Sequence, residues 1–189
     1  MFRRLASVLA FLVLSVPLAP VWADEYTDTI DIFKNAGESG QFFKTAYGYA
    51  VFPTIGKGGL VVGGAYGTGR VYEQGRYIGD SSMTQVSVGL QLGGQAYSEI
   101  VFFQDQRSLK EFTGGNFEFG ADASVVAITA GAGARANTGG SSAGASGGKH
   151  DATTTGSYNK GMATFTVAKG GLMYEASING QKFGFKPRQ

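Results

Sequence analysis

The chain has 189 residues, 31 of them glycine, with no cysteine and one histidine, His150. This excludes thiol chemistry and disulfide staples, and one histidine falls well short of the three or four convergent donors a metal centre needs. The formal net charge of +2 comes from Arg3 and Arg4; beyond them residues 24–134 carry 7 basic and 12 acidic groups and residues 135–189 carry 7 and 2, a balance that argues against nucleic acid as partner but leaves a basic last third suited to an anionic surface such as lipid headgroups.

In chain order, Arg3-Arg4, the apolar run Leu5 to Val16 and the ending Val21-Trp22-Ala23 form the tripartite pattern of a signal peptide over 1–23, with a run too short to span a bilayer. Export is expected, to the periplasm or the outer envelope. Residues 24–46 read as short helices. Tyr26, Ile30 and Phe33 make an apolar stripe at helical spacing over Glu25 to Ala36, ended by Gly37, and the acidic opposite face favours docking on the domain over membrane insertion. Ser39 is the expected cap of a second turn carrying Phe42, Phe43 and Ala46.

From 47 to 189 the pattern is β-rich. Tyr49 to Phe52, Gly59 to Tyr66, Arg70 to Glu73 and Arg76 to Gly79 read as strands, with Gly67-Thr68-Gly69 and Gln74-Gly75 as turns. Thr84 to Leu92 alternates, which places Val86, Val88, Leu90 and Leu92 on the core side and Gln85, Ser87 and Gln91 in water. Gly93-Gly94 either closes a hairpin or bends one strand into Ala96 to Phe103. Asp105 is the expected cap of a two-turn helix with Leu109 and Phe112 inward, stopped by Gly114. Ala123 to Ala132 reads as another strand. The Gly/Ser-rich stretch 137–157 lacks an apolar period and reads as a flexible excursion within one domain. Met162 to Ala168 leads through Lys169-Gly170-Gly171 into Leu172 to Ile178, and Asn179-Gly180 predicts a type I′ hairpin. That register puts Ile178, Phe183 and Phe185 on one face and Lys182 and Lys186 on the other. The predicted fold is α+β: a single domain built on a strongly curved, barrel-like antiparallel sheet with a few short helices.

No catalytic constellation emerges. Two G-x-S-x-G matches, at 140–144 and 144–148, lie in low-complexity sequence without the strand and helix a nucleophile elbow requires. Gly64, Gly67 and Gly69 do not follow the dinucleotide-binding order. The carboxylates are dispersed, and no acid/base pair can be nominated.

Five blocks carry a resemblance: Tyr49-Ala50-Val51-Phe52-Pro53; Lys57 to Gly67; Ser87 to Gln95; Phe119-Gly120-Ala121-Asp122-Ala123-Ser124-Val125; and Gly171-Leu172-Met173 with Gly180-Gln181-Lys182. In this order they resemble the SYLF domain family, in its signal-bearing bacterial subgroup. The resemblance implies a non-enzymatic lipid-binding module without cofactors, recognising phosphoinositides in eukaryotic members, some of which also bind actin. For an exported chain actin enters only through delivery to a host. The expectation is therefore binding to anionic phospholipid or phosphoinositide-like headgroups at the bacterial envelope, with Lys57, Lys169, Lys182 and Lys186 as candidate contacts. A small integral outer-membrane barrel or a structural envelope protein is the alternative, although Arg70 to Glu73 and Arg76 to Gly79 are short for membrane strands of about 9–11 residues.

Overall fold

The computed structural model describes residues 24–59, 62–88, 95–121, 123, 125–128, 157–169 and 178–189. The signal-peptide expectation, Gly93-Gly94, both G-x-S-x-G matches, His150 and nearly all of the 137–157 stretch lie outside the described residues. So does 172–177, the strand arm expected before Asn179-Gly180.

Among the described residues eight strands form one curled, half-barrel sheet in the order β5-β8-β3-β2-β1-β4-β7-β6, with three short α-helices, the α+β fold expected. The strands are β1 Gly48–Gly59, β2 Val62–Glu73, β3 Arg76–Val88, β4 Gln95–Phe103, β5 Phe117–Glu118, β6 Val125–Ile128, β7 Met162–Lys169 and β8 Lys182–Pro187. All described pairings are antiparallel except β6 with β7, which runs parallel. The helices are α1 Glu25–Asn35, α2 Phe42–Thr45 and α3 Gln106–Phe112.

The two faces of the sheet carry separate cores. The inner face holds Phe52, Ile55, Val71, Met83, Val101, Phe103 and Phe183, closed over by Leu109 and Phe112 of α3 and by Phe119. α3 is held by a capping box in which Asp105 and Ser108 satisfy each other's backbone donors. The outer face holds Val51, Ile100, Phe102, Phe165 and Val167, on which Ile30 and Phe33 of α1 pack, with Phe42 and Phe43 beside them. α1 therefore docks, as its stripe predicts, and burying two such side chains stabilises the seat by roughly 1.5–3 kcal/mol each. Its first turn is pinned by polar contacts: Asp24 bonds Arg70, and Glu25 accepts from the Thr54 hydroxyl at 2.6 Å and the Lys169 ammonium at 3.0 Å.

Several local expectations are corrected. Gly67-Thr68-Gly69 is no turn but the middle of β2. A Cβ at Gly67 would lie 2.6 Å from Ile55 Cγ1, and one at Gly69 would lie 2.5 Å from the Phe52 ring. These glycines make room for core side chains of β1. Gly59 ends β1 and does not open the next strand, and Pro53 lies inside β1 at the register shift, where its missing N–H is tolerated. Ser39 does not cap the second turn; it is buried and its hydroxyl donates at 2.6 Å to the carbonyl of Phe33 in the last turn of α1. Lys57 and Lys169 stand in β1 and at the end of β7, not in turns.

The alternation of β3 is reversed. Met83 and Gln85 face inward, while Val86 is 76% exposed. Period-2 patterning cannot decide this because a one-residue slip moves every side chain to the other face. Met83 fills the core, and Gln85 is accommodated by donating its amide to the Asn179 carbonyl at 2.9 Å. The Asn179-Gly180 turn is closed by Gln181 N–H to the Ile178 carbonyl, but only Gly180 has positive φ, so it is not type I′. That geometry occurs instead at Gln74-Gly75 and at Lys160-Gly161, where both residues are left-handed.

Candidate functional site

Strand register assembles one surface from residues far apart in sequence. Directly paired residues point to the same side of a sheet. Pairing therefore links Lys182, Thr84, Tyr66, Gly56, Ala96 and Lys169 into a single row across β8, β3, β2, β1, β4 and β7. The row lies on the outer face, spans roughly 24 Å at ~4.8 Å per strand, and has a lysine at each end. The next row toward the sheet end joins Val86, Gly64 and Gly58.

α1 covers the outer face only up to Thr54 and Lys169, where Glu25 is anchored. Thr54 and Lys169 hold the Glu25 carboxyl below the usual range. Beyond that line Tyr66 is 59% exposed, and a Cβ at Gly56 or Gly58 would touch nothing.

Beside Lys182 a cleft of about 350 Å³ opens between β3, β8 and β5. Ser82, Thr84, Asn116 and Lys182 supply hydroxyl, amide and ammonium groups to it. Glu118 also lines it and pairs with Lys182 at 3.5 Å, both side chains about half exposed or more. An exposed pair of this kind contributes at most ~1 kcal/mol, so an anion of higher charge can displace the carboxylate.

The four predicted lysines divide. Lys182 and Lys169 share the row, the latter engaged by Glu25 and Thr54. Lys186 is on the same face but four residues along β8, opposite Asp80. Lys57 pairs with Ala65, an inner-core residue, and so belongs to the other face. The expectation of a common cationic rim is thus corrected for Lys57, because Ile55 on the same side of β1 is core. Sequence reasoning missed Tyr66 and Val86; alternate glycines opposite them on β1 and β2 were the available signal.

The interior offers no catalytic grouping among the described residues. Glu99 is fully buried, its pKa pushed up to about 7 by loss of solvation. One of its oxygens accepts from the Gln181 amide at 3.0 Å, and the same amide nitrogen bonds the Tyr97 hydroxyl at 3.2 Å. Oε1 of Glu99 has no partner among the described residues, nor has Thr166 Oγ1 directly across the strand pair. No group of three or more His, Cys, Asp or Glu suited to a metal occurs among the described residues. No described helix is long and apolar enough to cross a membrane.

Among the described residues the domain is a glycine-rich half-barrel sheet with α1 docked on its outer face and α3 closing its inner face. The chain matches the family model Ysc84, described as Las17-binding protein actin regulator, over residues 84–187, more than half its length. It belongs to that family, the family of the SYLF domain. It is also similar to a protein named Beta cell expansion factor A from Aeromonas veronii, 27% identical over 160 residues, covering 83% of this chain. The alignment takes in 52% of that protein, so the chain spans about half the length of the curated relative it matches.

Proposed function

We propose that the chain is a non-enzymatic lipid-binding module that attaches peripherally to anionic membrane at the bacterial envelope. The observation that carries this reading is the cleft at Lys182, where hydroxyls, an amide and an ammonium converge on an exposed face beside the Tyr66 row. Membership of a family of binding domains supports it. Phosphate oxygens suit such donors, and a lysine near an anionic bilayer contributes about 1 kcal/mol. Phosphoinositide-like headgroups are one member of that class. The actin regulation in the family description and the action named for the Aeromonas protein are properties of those proteins; for this chain actin is a partner only if a host receives it.

An integral barrel fits less well. The inner face of the described sheet is filled by an apolar, aromatic core, whereas the interior of a membrane-spanning barrel is polar. Co-sedimentation with phosphatidylglycerol-containing and pure phosphatidylcholine vesicles tests the proposal. Binding should require the anionic lipid, fall with salt and weaken roughly five-fold or more in Lys182→Glu, the equivalent of ~1 kcal/mol. Equal binding to both vesicles, or none, contradicts it.

A further inference from the structure

Among the described residues the outer face is half covered and half bare, and the boundary has a physical cause. α1 buries the rows that contain Val51, Ile100, Phe165 and Val167 and is pinned at its first residues by Arg70, Thr54 and Lys169. Past that clamp β1 continues with Gly56 and Gly58 and β2 carries Gly64, which give a flat backbone surface with open space above Gly56 and Gly58. From it rise two large apolar side chains, Tyr66 and Val86, in adjacent rows of neighbouring strands. Their exposure follows from the register, which turns Met83 into the core and cannot bury Val86 as well. Two features identify an occupant. The Tyr66 row is bounded by cationic groups, Lys182 on one side and Lys169 on the other, which complement an anionic partner. A tyrosine standing out of such a face has the amphipathic character of residues that settle at headgroup depth, apolar body inward and hydroxyl in water.

We propose that this bare face, centred on Tyr66 and Val86 and flanked by Lys182 and Lys169, is the part of the molecule that seats on an anionic bilayer, with the Tyr66 ring inserted at headgroup level. The sheet then lies with its glycine-lined half against the membrane, α1 stays docked on the remaining half, and the inner core is not opened. Anionic headgroups occupy the ground beside Lys182, and at Lys169 a lipid phosphate competes with the Glu25 carboxylate. This inference rests on the lipid-binding reading and adds to it the surface, its apolar anchors and the orientation.

The test places a reporter on the face. Trp22 is the only tryptophan of the sequence, so Tyr66→Trp in a Trp22→Phe background carries one indole. Vesicles of phosphatidylglycerol and phosphatidylcholine should move its emission to the blue, and chains brominated near the headgroup should quench it more than chains brominated near the methyl end. In co-sedimentation Tyr66→Ala and Val86→Ser should each weaken binding about five-fold or more, and thermal melting of both should match the parent because neither side chain is in a core. If the parent sediments with the vesicles but the indole keeps its aqueous emission and both variants bind as the parent does, the face is wrong and the lipid-binding reading stands. If the parent does not sediment, that reading fails and this inference with it. A blue shift that needs no vesicles and follows protein concentration would assign the face to a second copy of the chain and overturn the proposal.

Discussion

Glu99 shows how much one residue's surroundings change its chemistry. A carboxyl with no solvent and one amide donor favours the protonated form, and its folded pKa is about 7. Since this exceeds the unfolded value, the folded state holds the proton more tightly. The contribution of Glu99 to stability is greatest below pH ~4.5 and falls as pH rises from there to about 7, by up to ~3 kcal/mol at ~1.4 kcal/mol per unit. Urea titrations at pH 5 and 8 should show this loss in the parent and a much flatter profile in Glu99→Gln; parallel profiles would mean that Glu99 is solvated in solution. The glycines supply a second prediction at this scale. Gly69→Ala forces a methyl within 2.5 Å of Phe52 and 2.7 Å of the Val51 carbonyl, whereas Gly58→Ala meets nothing. Overpacking of this kind costs roughly 1–3 kcal/mol, so calorimetry should show a lower Tm for Gly69→Ala alone, and equal Tm values would contradict the close approach.

Among the elements, α1 and α3 were legible because local rules suffice for them. An apolar stripe at Tyr26, Ile30 and Phe33 needs a helix, and Asp105 followed by Ser108 builds its own cap. Strand identity was mostly legible, but strand extent and face were not. Gly67 and Gly69 carry a turn's composition, and their role depends on Ile55 and Phe52 across the β1–β2 pair. The same limit hid half of the candidate site. Lys182 could be found from the β8 alternation, while its alignment with Tyr66 and Lys169 is created by four other strand registers. The docking of α1 allows a prediction. Phe33 is fully buried against the outer core, so Phe33→Ala should cost ~3–5 kcal/mol. Glu25→Gln removes an exposed ion pair with Lys169 and should cost under ~1 kcal/mol. Denaturation midpoints separate the two, and similar losses would mean that the polar clamp, not packing, seats the helix.

At the scale of the whole molecule, the architecture divides labour between two sides of one sheet. The inner side, closed by α3 and Phe119, is committed to stability. Among the described residues the outer side is packed where α1 and α2 lie on it, and the remainder bears the exposed tyrosine and valine with lysines at the margins of the row. Lysine footprinting on phosphatidylglycerol-containing vesicles tests that division most directly. Brief acetylation followed by mass spectrometry compares the modification of each lysine with vesicles present and absent. The account predicts strong protection of Lys182, lesser protection of Lys169, and none of Lys44 on α2 or Lys110 on α3. Protection of Lys44 and Lys110 with Lys182 left reactive would contradict it.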